Sequence, residues 1–266
     1  MHPLVNIAVM AARAAGNFIM RNFDRADALS VERKARNDFV TQIDRGAEAE
    51  IIRHIRKAYP DHAILAEESG ALEGRRGASE VTWIIDPLDG TTNFLHRIPH
   101  FAVSIGIQVR DRLEHGVIYA PCTQDLYTAS RGAGAVLNSR RIRVSSCRDL
   151  GQALIGTGVP LREEYLAHYA TMLCNVARET AGIRRAGSAA LDLAYVAAGR
   201  LEGFWEYNLK PWDMAAGIVL VQEAGGAVRE LEGGADVLTS GHILAGTVPL
   251  IDQLAALLPP RRAAAA

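Results

Sequence analysis

The run Asp86-Pro87-Leu88-Asp89-Gly90-Thr91-Thr92-Asn93-Phe94 concentrates the residues of this chain that could do chemistry. It follows Val81-Thr82-Trp83-Ile84-Ile85, a short apolar stretch that reads as a buried strand. Two carboxylates thus leave a strand end three residues apart, and Pro87 biases Asp86 toward extended backbone. Asp86, Asp89 and the carbonyl of Leu88 are hard oxygen donors, suited to Mg²⁺ or Mn²⁺ rather than zinc. Gly90 lets the backbone come close to a ligand, while Thr91 and Thr92 add hydroxyl and N–H groups. N–H groups at a turn that opens a helix suit a phosphate. One segment therefore offers places for a metal and for the anion it activates. Asp-Pro and Asp-Gly pairs in isolation are ordinary turn signals. The whole run, joined by further acids elsewhere, favours the functional reading.

Leu88-Asp89-Gly90-Thr91 also looks like the start of a haloacid-dehalogenase-type phosphatase, where a nucleophilic Asp stands two before the second Asp. Here that position is Pro87, which cannot attack, and Asp86 is out of register. A phospho-aspartyl mechanism is excluded on that ground.

Further acids fit the same site. Glu67-Glu68 ends the short strand 63–66, and neighbouring strands would bring it beside Asp86. Glu67 is the expected ligand, with Glu68 turned to the other face by strand alternation. Asp213, after Trp212 at the start of a helix, reads either as a capping acid or as a ligand closing the cluster from the second half of the chain. The second reading puts the site between the two halves. Asp44, near Lys34 and the start of the second helix, is either a helix-dipole acid or the acceptor for Thr91. In the latter role it leaves the threonine oxygen to orient or deprotonate a water.

The elements that must position these groups are legible in outline. The first helix has a stripe of Leu4, Ile7, Ala8, Ala11, Ala15, Phe18 and Ile19. A polar stretch spans 32–38, and a second helix over 44–58 shows Ala47, Ile51 and Ile55 on one face. After a Gly- and charge-rich loop at 70–80 and the strand 81–85, the segments 102–109, 113–119 and 126–129 read as antiparallel strands. The second half alternates: strand 153–156, helix 163–177, a Ser188-capped helix stopping at Gly199, a segment near Phe204, a helix from Pro211 to Gly225-Gly226, strand 243–246 and a final helix to 258. An α+β part followed by an α/β part is expected. The boundary falls near 145–151, giving domains 1–147 and 148–266. The 266 residues suffice for such cores, and a net charge of −1 carries no nucleic-acid or membrane footprint. Cys122, Cys147 and Cys174 lack metal or disulfide spacing, which fits a reduced cytoplasm. No stretch reads as a membrane span, and the tail from Pro259-Pro260-Arg261-Arg262 reads as frayed.

Taken together, these residues resemble the inositol monophosphatase family over nearly the whole chain. The carriers are Asp38-Phe39-Val40-Thr41, Glu67-Glu68-Ser69, Trp83 to Phe94, and Trp212-Asp213-Met214-Ala215-Ala216-Gly217. Its bacterial branch is matched by Phe94-Leu95-His96-Arg97-Ile98-Pro99-His100-Phe101-Ala102-Val103-Ser104, Gly187 to Ala194, and Leu209-Lys210-Pro211. The resemblance implies a layered αβαβα sandwich of the inositol monophosphatase and fructose-1,6-bisphosphatase superfamily. It further implies Mg²⁺-dependent hydrolysis of a phosphate monoester, a homodimer, and inhibition by lithium. By position it assigns Glu67, Asp86, Leu88, Asp89 and Asp213 to two or three metal ions. Gly90, Thr91 and Thr92 go to the phosphate; Asp89, Gly187, Ser188, Ala189, Glu206 and Asp213 go to the inositol hydroxyls. Arg97 departs from the Gly common in relatives and puts the dimer geometry in question.

A phosphate dianion repels hydroxide, and two ions about 4 Å apart neutralise it and activate water. Glu67, Thr91 and Asp44 are then the expected catalytic groups, with in-line attack and no phospho-enzyme. Rival substrates are 3′-phosphoadenosine phosphates, histidinol phosphate and fructose 1,6-bisphosphate. Thr92-Asn93-Phe94, where those relatives tend to carry Lys or Arg, favours inositol phosphates. A rival of another class is partnership with RNA polymerase in antitermination. Arg184-Arg185 and Arg140-Arg141-Ile142-Arg143 are its candidate contacts, against the reading of each as a solvated basic face.

Overall fold

The computed structural model describes residues 2–23, 31–35, 38–75, 77, 79–160 and 162–260, without the side chains of 31–41. The Lys34 side chain, those of the Asp38-Phe39-Val40-Thr41 motif, and the tail from Arg261 lie outside the described residues. The elements run α1 (Pro3–Phe23), β1 (Val31–Ala35), β2 (Asp38–Thr41), α2 (Gln42–Ala58), β3 (Ala63–Ala66), β4 (Gly70–Leu72), β5 (Val81–Asp89) and α3 (Thr91–Leu95). Next come β6 (Ala102–Val109), β7 (Arg112–Ala120), β8 (Asp125–Ser130), β9 (Gly134–Leu137), β10 (Arg140–Ile142), β11 (Leu154–Thr157) and α4 (Glu163–Glu179). The chain closes with β12 (Gly182–Arg184), α5 (Ala189–Ala197), β13 (Gly203–Glu206), α6 (Pro211–Glu223), β14 (Ala227–Glu230), α7 (Val237–Ser240), β15 (Ile243–Gly246) and α8 (Ile251–Leu257).

The result is an αβαβα sandwich. An eight-stranded sheet has the order β10-β9-β8-β7-β6-β5-β3-β4, and a five-stranded sheet the order β12-β11-β13-β15-β14. In the larger sheet only β3 and β5 are parallel neighbours. Helices α1 and α2 cover one face of that sheet, α5 and α6 lie between the sheets, and α4 and α8 cover the outer face of the smaller one. The polar stretch at 32–38 falls on β1 and β2, which pair antiparallel. β4, β9, β10, β12 and β14, each three or four residues long, have no counterpart in the sequence reading.

Strand alternation explains how both faces of the larger sheet become core. Trp83 and Ile85 pack toward α1 and α2 with Ile51, Ile55 and Val103. Ile84, between them, packs toward α5 and α6 with Leu193, Ala215 and Ala216. A strand covered on both sides loses the polar half of its pattern and reads as a continuous apolar run. α1 meets the length and composition of a membrane-crossing helix, against the expectation that no stretch does. Its apolar stripe is consumed inside the protein: Ala8, Ala11, Ala12, Ala15 and Ile19 are all fully buried. The small alanines bring α1 and α2 close together over the sheet.

Helix α6 approaches the opposite face more closely still. A Cβ placed on Gly116 would lie 2.4 Å from the Ala216 carbonyl oxygen, and one on Gly106 would lie 2.5 Å from the Ala215 Cβ. Both strands supply hydrogen in place of a side chain so that the backbone of α6 rests on the sheet. Gly116→Ala must therefore push α6 outward. The expected cost is about 1–3 kcal/mol, read as a lower midpoint in urea unfolding, and activity should fall with it because α6 carries Asp213. A variant as stable as the parent would refute this packing.

Candidate active site

The acidic motif is still strand. β5 continues through Asp89 instead of ending at Ile85, and this extension decides where the carboxylates point. Asp86 pairs with Ser104 and Asp89 with Ala102, so three steps on β5 match two on β6. Side chains three apart on a regular strand face opposite ways; the extra residue of a bulge returns Asp89 to the face of Asp86. Leu88, inside the bulge, packs toward α1 and α2. Pro87 sits where the ladder is already interrupted and no N–H is demanded of it. Leu88 N donates to Asp86 Oδ1 at 2.9 Å, which fixes the rotation of that carboxylate.

β3 brings the next acid. Ala66 pairs with Ile85, and Glu67 N donates to the Ile85 carbonyl at 3.1 Å, so Glu67 stands beside Asp86 on the same face. Glu68 turns toward α2, where Arg45 is 3.7 Å away. The buried Glu48 of α2 accepts from Glu68 N at 2.8 Å and from the Ser69 hydroxyl, pinning this turn. Glu48 follows Asp44 by four residues on the apolar face of the helix, and both acids are buried. That spacing was the available signal for Glu48, which the sequence reading passed over.

The middle layer supplies the rest. Trp212 O accepts from the Ser104 hydroxyl at 3.2 Å, so the residue paired with Asp86 also anchors the start of α6. Asp213 Oδ2 accepts from Lys210 N at 2.7 Å, and its carboxyl lies near enough to Asp86 for each to bear on the other's charge. Asp89 Oδ2 accepts from the Ser188 hydroxyl at 2.5 Å and from Ala190 N at 2.7 Å. Ser188 caps α5 as expected. Asp89 adds a second acceptor there, tying the first residues of α5 to the larger sheet.

Gly90 has φ +98, and a Cβ there would lie 3.0 Å from the His100 carbonyl, so this turn into α3 needs glycine. Asn93 is buried, and its amide donates to the carbonyls of His100 at 2.7 Å and Ala186 at 2.9 Å. Asn93 therefore acts on Gly187 and Ser188 through the backbone and does not face a ligand. Its contacts are those of a positioning residue. The Thr91 hydroxyl is 3.0 Å from the Leu88 carbonyl and 3.5 Å from Asp44 Oδ1. Its single proton has two acceptors, and the carbonyl is the nearer, where the sequence reading had Asp44 alone. Thr92 is exposed at the surface of the same turn.

Electrostatics confirm that these acids share one space. Burial, followed by the charges of Glu67, Asp89 and Asp213, pushes the Asp86 carboxyl far above the ordinary range. Burial also lifts Asp89 to about 6, held back by its hydrogen bonds from Ser188, Ala190 and Ala189. Asp213 rises to about 8 through burial and the Asp89 charge, and Glu206 to about 8 through burial, Asp192 and Asp89. Asp89, Gly187, Ser188, Glu206 and Asp213 line one cavity of about 150 Å³. Gly158 beside it has no room for a Cβ because the Glu206 carboxylate occupies that space. Among the described residues no three acids are already posed around a single point as a cation cage. The donor set nevertheless fits a hard divalent ion: all-oxygen, partly shielded, and mutually repelling until positive charge arrives.

The basic segments separate. Arg140, Arg141, Arg143 and Arg184 are exposed, whereas Arg185, itself largely exposed, also lines the acidic cavity.

The sequence profile of the inositol monophosphatase family matches residues 1–262. The Nus factor SuhB of Pseudomonas aeruginosa is 51% identical over 263 residues, covering 98% of this chain and 97% of its own. The crystal structure of the extragenic suppressor protein suhB from Bartonella henselae superposes with a TM-score of 0.94 at 47% identity, over 97% of this chain and 98% of that one. An inositol monophosphatase from Anabaena superposes with a TM-score of 0.82 at 38% identity, over 96% and 94% of the two chains.

Asp86, Asp89, Asp213 and Glu206 titrate above the ordinary carboxylate range in the folded protein, and so above their range in the unfolded chain. Between about pH 4 and about pH 8 these four acids bind more protons in the folded protein than in the unfolded chain, so their contribution to stability declines as pH rises. His54, His62, His100 and His115, held below the ordinary imidazole range by burial, oppose this below about pH 7. In chelator the thermal midpoint should fall from about pH 7 to about pH 8.5, above the histidine range, and added Mg²⁺ should restore it there. A midpoint that climbed over the same range would contradict the clustering.

Proposed function

The chain belongs to the inositol monophosphatase family, and from that premise we propose that it hydrolyses myo-inositol 1-phosphate and related inositol monophosphates with Mg²⁺. The observation that carries this reading is the convergence of Glu67, Asp86, Asp89 and Asp213 from β3, β5 and α6, each raising the proton affinity of Asp86 or its neighbours. Such a group is stable in ionised form only when cations neutralise it.

Glu67, Asp86, the Leu88 carbonyl, Asp89 and Asp213 are the groups that would hold two or three such ions. When bound, the ions supply the positive charge that lets a phosphate dianion approach and that activates water. Thr91 orients the attacking water, and its proton rests on Leu88 O or Asp44. Gly90, Thr91 and Thr92 offer N–H and hydroxyl donors to the phosphate. Asp89, Gly187, Ser188, Ala189, Glu206 and Asp213 face the leaving group. The cavity of about 150 Å³ suits a compact polyol; it is small against the roughly 300–1,000 Å³ of pockets for larger ligands. A homodimer in the cytoplasm, with Mn²⁺ able to replace Mg²⁺ and lithium inhibiting, completes the proposal.

A second reading is favoured by one comparison, the name Nus factor carried by the Pseudomonas aeruginosa relative. On this reading the chain also joins RNA polymerase in antitermination, a role compatible with catalysis. Pull-down with the transcription elongation machinery tests it, and retention of binding by a catalytically dead variant would separate the two roles.

The enzymatic reading is tested by phosphate release from inositol 1-phosphate with and without Mg²⁺, beside 3′-phosphoadenosine phosphate, histidinol phosphate and fructose 1,6-bisphosphate. Asp89→Asn should lose about a hundredfold or more in turnover while keeping its circular dichroism spectrum. Near-normal turnover in that variant would overturn the ligand assignment.

A further inference from the structure

Asp192 is an anomaly in the middle layer. It stands in the first turn of α5 with 1% of its surface exposed, and neither carboxyl oxygen has a hydrogen-bond partner. A buried carboxyl without a partner is among the costliest groups a fold can retain, and such exceptions call for a cause.

The surroundings locate that cause. Asp192 lines the same cavity as Glu206 and Thr157, at the leaving-group end. Charged neighbours face it from three other elements: Asp89 of β5 opposes its ionisation, Arg185 after β12 favours it, and Asp192 is the strongest charged influence on Glu206 of β13. Gly156 of β11 packs beside it; a Cβ there would lie 3.4 Å from Asp192 Cγ, an ordinary contact. The Arg185 guanidinium lines the cavity with Asp192 and Glu206, and its positive charge disfavours a cation at this end. Two acids beside a guanidinium in a small cavity instead match the hydroxyls of a polyol. Each hydroxyl can donate to an acid and accept from the arginine.

We propose that Asp192 is a specificity-determining residue whose carboxyl takes hydrogen bonds from leaving-group hydroxyls beyond the reach of Glu206. The partner missing from the protein arrives with the substrate. A site built this way rejects an analogue lacking the hydroxyl, because binding it leaves the buried acid unpaired. The inference rests on the phosphatase reading above and names the part of the leaving group that is read.

The test compares inositol 1-phosphate with cyclohexyl phosphate, which keeps the ring and loses the hydroxyls. The full-length protein is assayed with Mg²⁺ as wild type, Asp192→Leu and Asp192→Asn. The wild type should favour the inositol ester in kcat/KM. Asp192→Leu should reduce that preference about tenfold or more, chiefly through KM for the inositol ester. Asp192→Asn, which keeps one acceptor oxygen, should fall between. Inositol with inorganic phosphate should raise the melting temperature of the wild type more than that of Asp192→Leu. An unchanged preference in both variants would overturn the proposal. So would an equal fall on both esters, or a failure of both variants to fold, since either marks Asp192 as purely structural. A wild type that cleaves neither ester would defeat the phosphatase reading itself, a result distinct from an unchanged preference.

Discussion

Carboxylates that cannot all ionise at once are the constraint on which the rest of this molecule depends. Asp86 is buried next to the acids Glu67, Asp89 and Asp213, and each adds to the difficulty of charging it. A soluble fold ordinarily keeps such groups apart or pairs them with bases. Here hydrogen bonds fix them in place: Leu88 N on Asp86, Lys210 N on Asp213, and Ser188 with Ala190 N on Asp89. These bonds orient the acids and only partly offset the repulsion. The deficit in positive charge that remains is what a divalent ion and an ester brought with it can fill.

Holding that arrangement takes both sheets' worth of architecture. The bulge in β5 turns two acids to one face, and the parallel pairing with β3 sets a third beside them. The fourth depends on α6 lying flat against Gly106 and Gly116. Ser104, paired with Asp86 and bonded to the carbonyl of Trp212, joins the two halves of the site at one point. Asn93 does similar work for the start of α5 by gathering the carbonyls of His100 and Ala186. The acids that would meet the ions are thus backed by neutral side chains whose task is geometric. Shell residues of that kind commonly matter almost as much as the ligands.

The cavity has two ends of different character. At one, Asp89 and Asp213 line it and belong to the acidic cluster with Asp86 and Glu67. At the other, Glu206 and Asp192 share the lining with Arg185. The division follows from the topology, since the first end is built by the larger sheet with α6 and the second by α5 with the smaller sheet. A substrate bridging both ends would place its phosphate against one sheet and its hydroxyls against the other.

Much of this was legible in the residues alone. The motif in β5, the Glu after β3, the Asp opening α6 and the cap at Ser188 all carry local signals, because strand ends and helix starts have residue preferences that act over a few positions. Hydrophobic periodicity likewise located α1, α2 and the long strands, whose burial is set by side chains close in sequence. Other features have no local signature. That Asp86 and Asp89 share a face was decided by a bulge against β6, that Thr91 lies nearer Leu88 than Asp44 by the path of one turn, and that Asn93 serves the backbone by its burial. Asp192, in sequence merely an acid near a helix start, became an unpaired carboxyl only once β11 and β13 were packed over it. Residue type determines which chemistry is possible, through donors, charge and shape. Whether a group meets a partner, a like charge or nothing at all depends on contacts between distant segments, and only the folded chain brings those together.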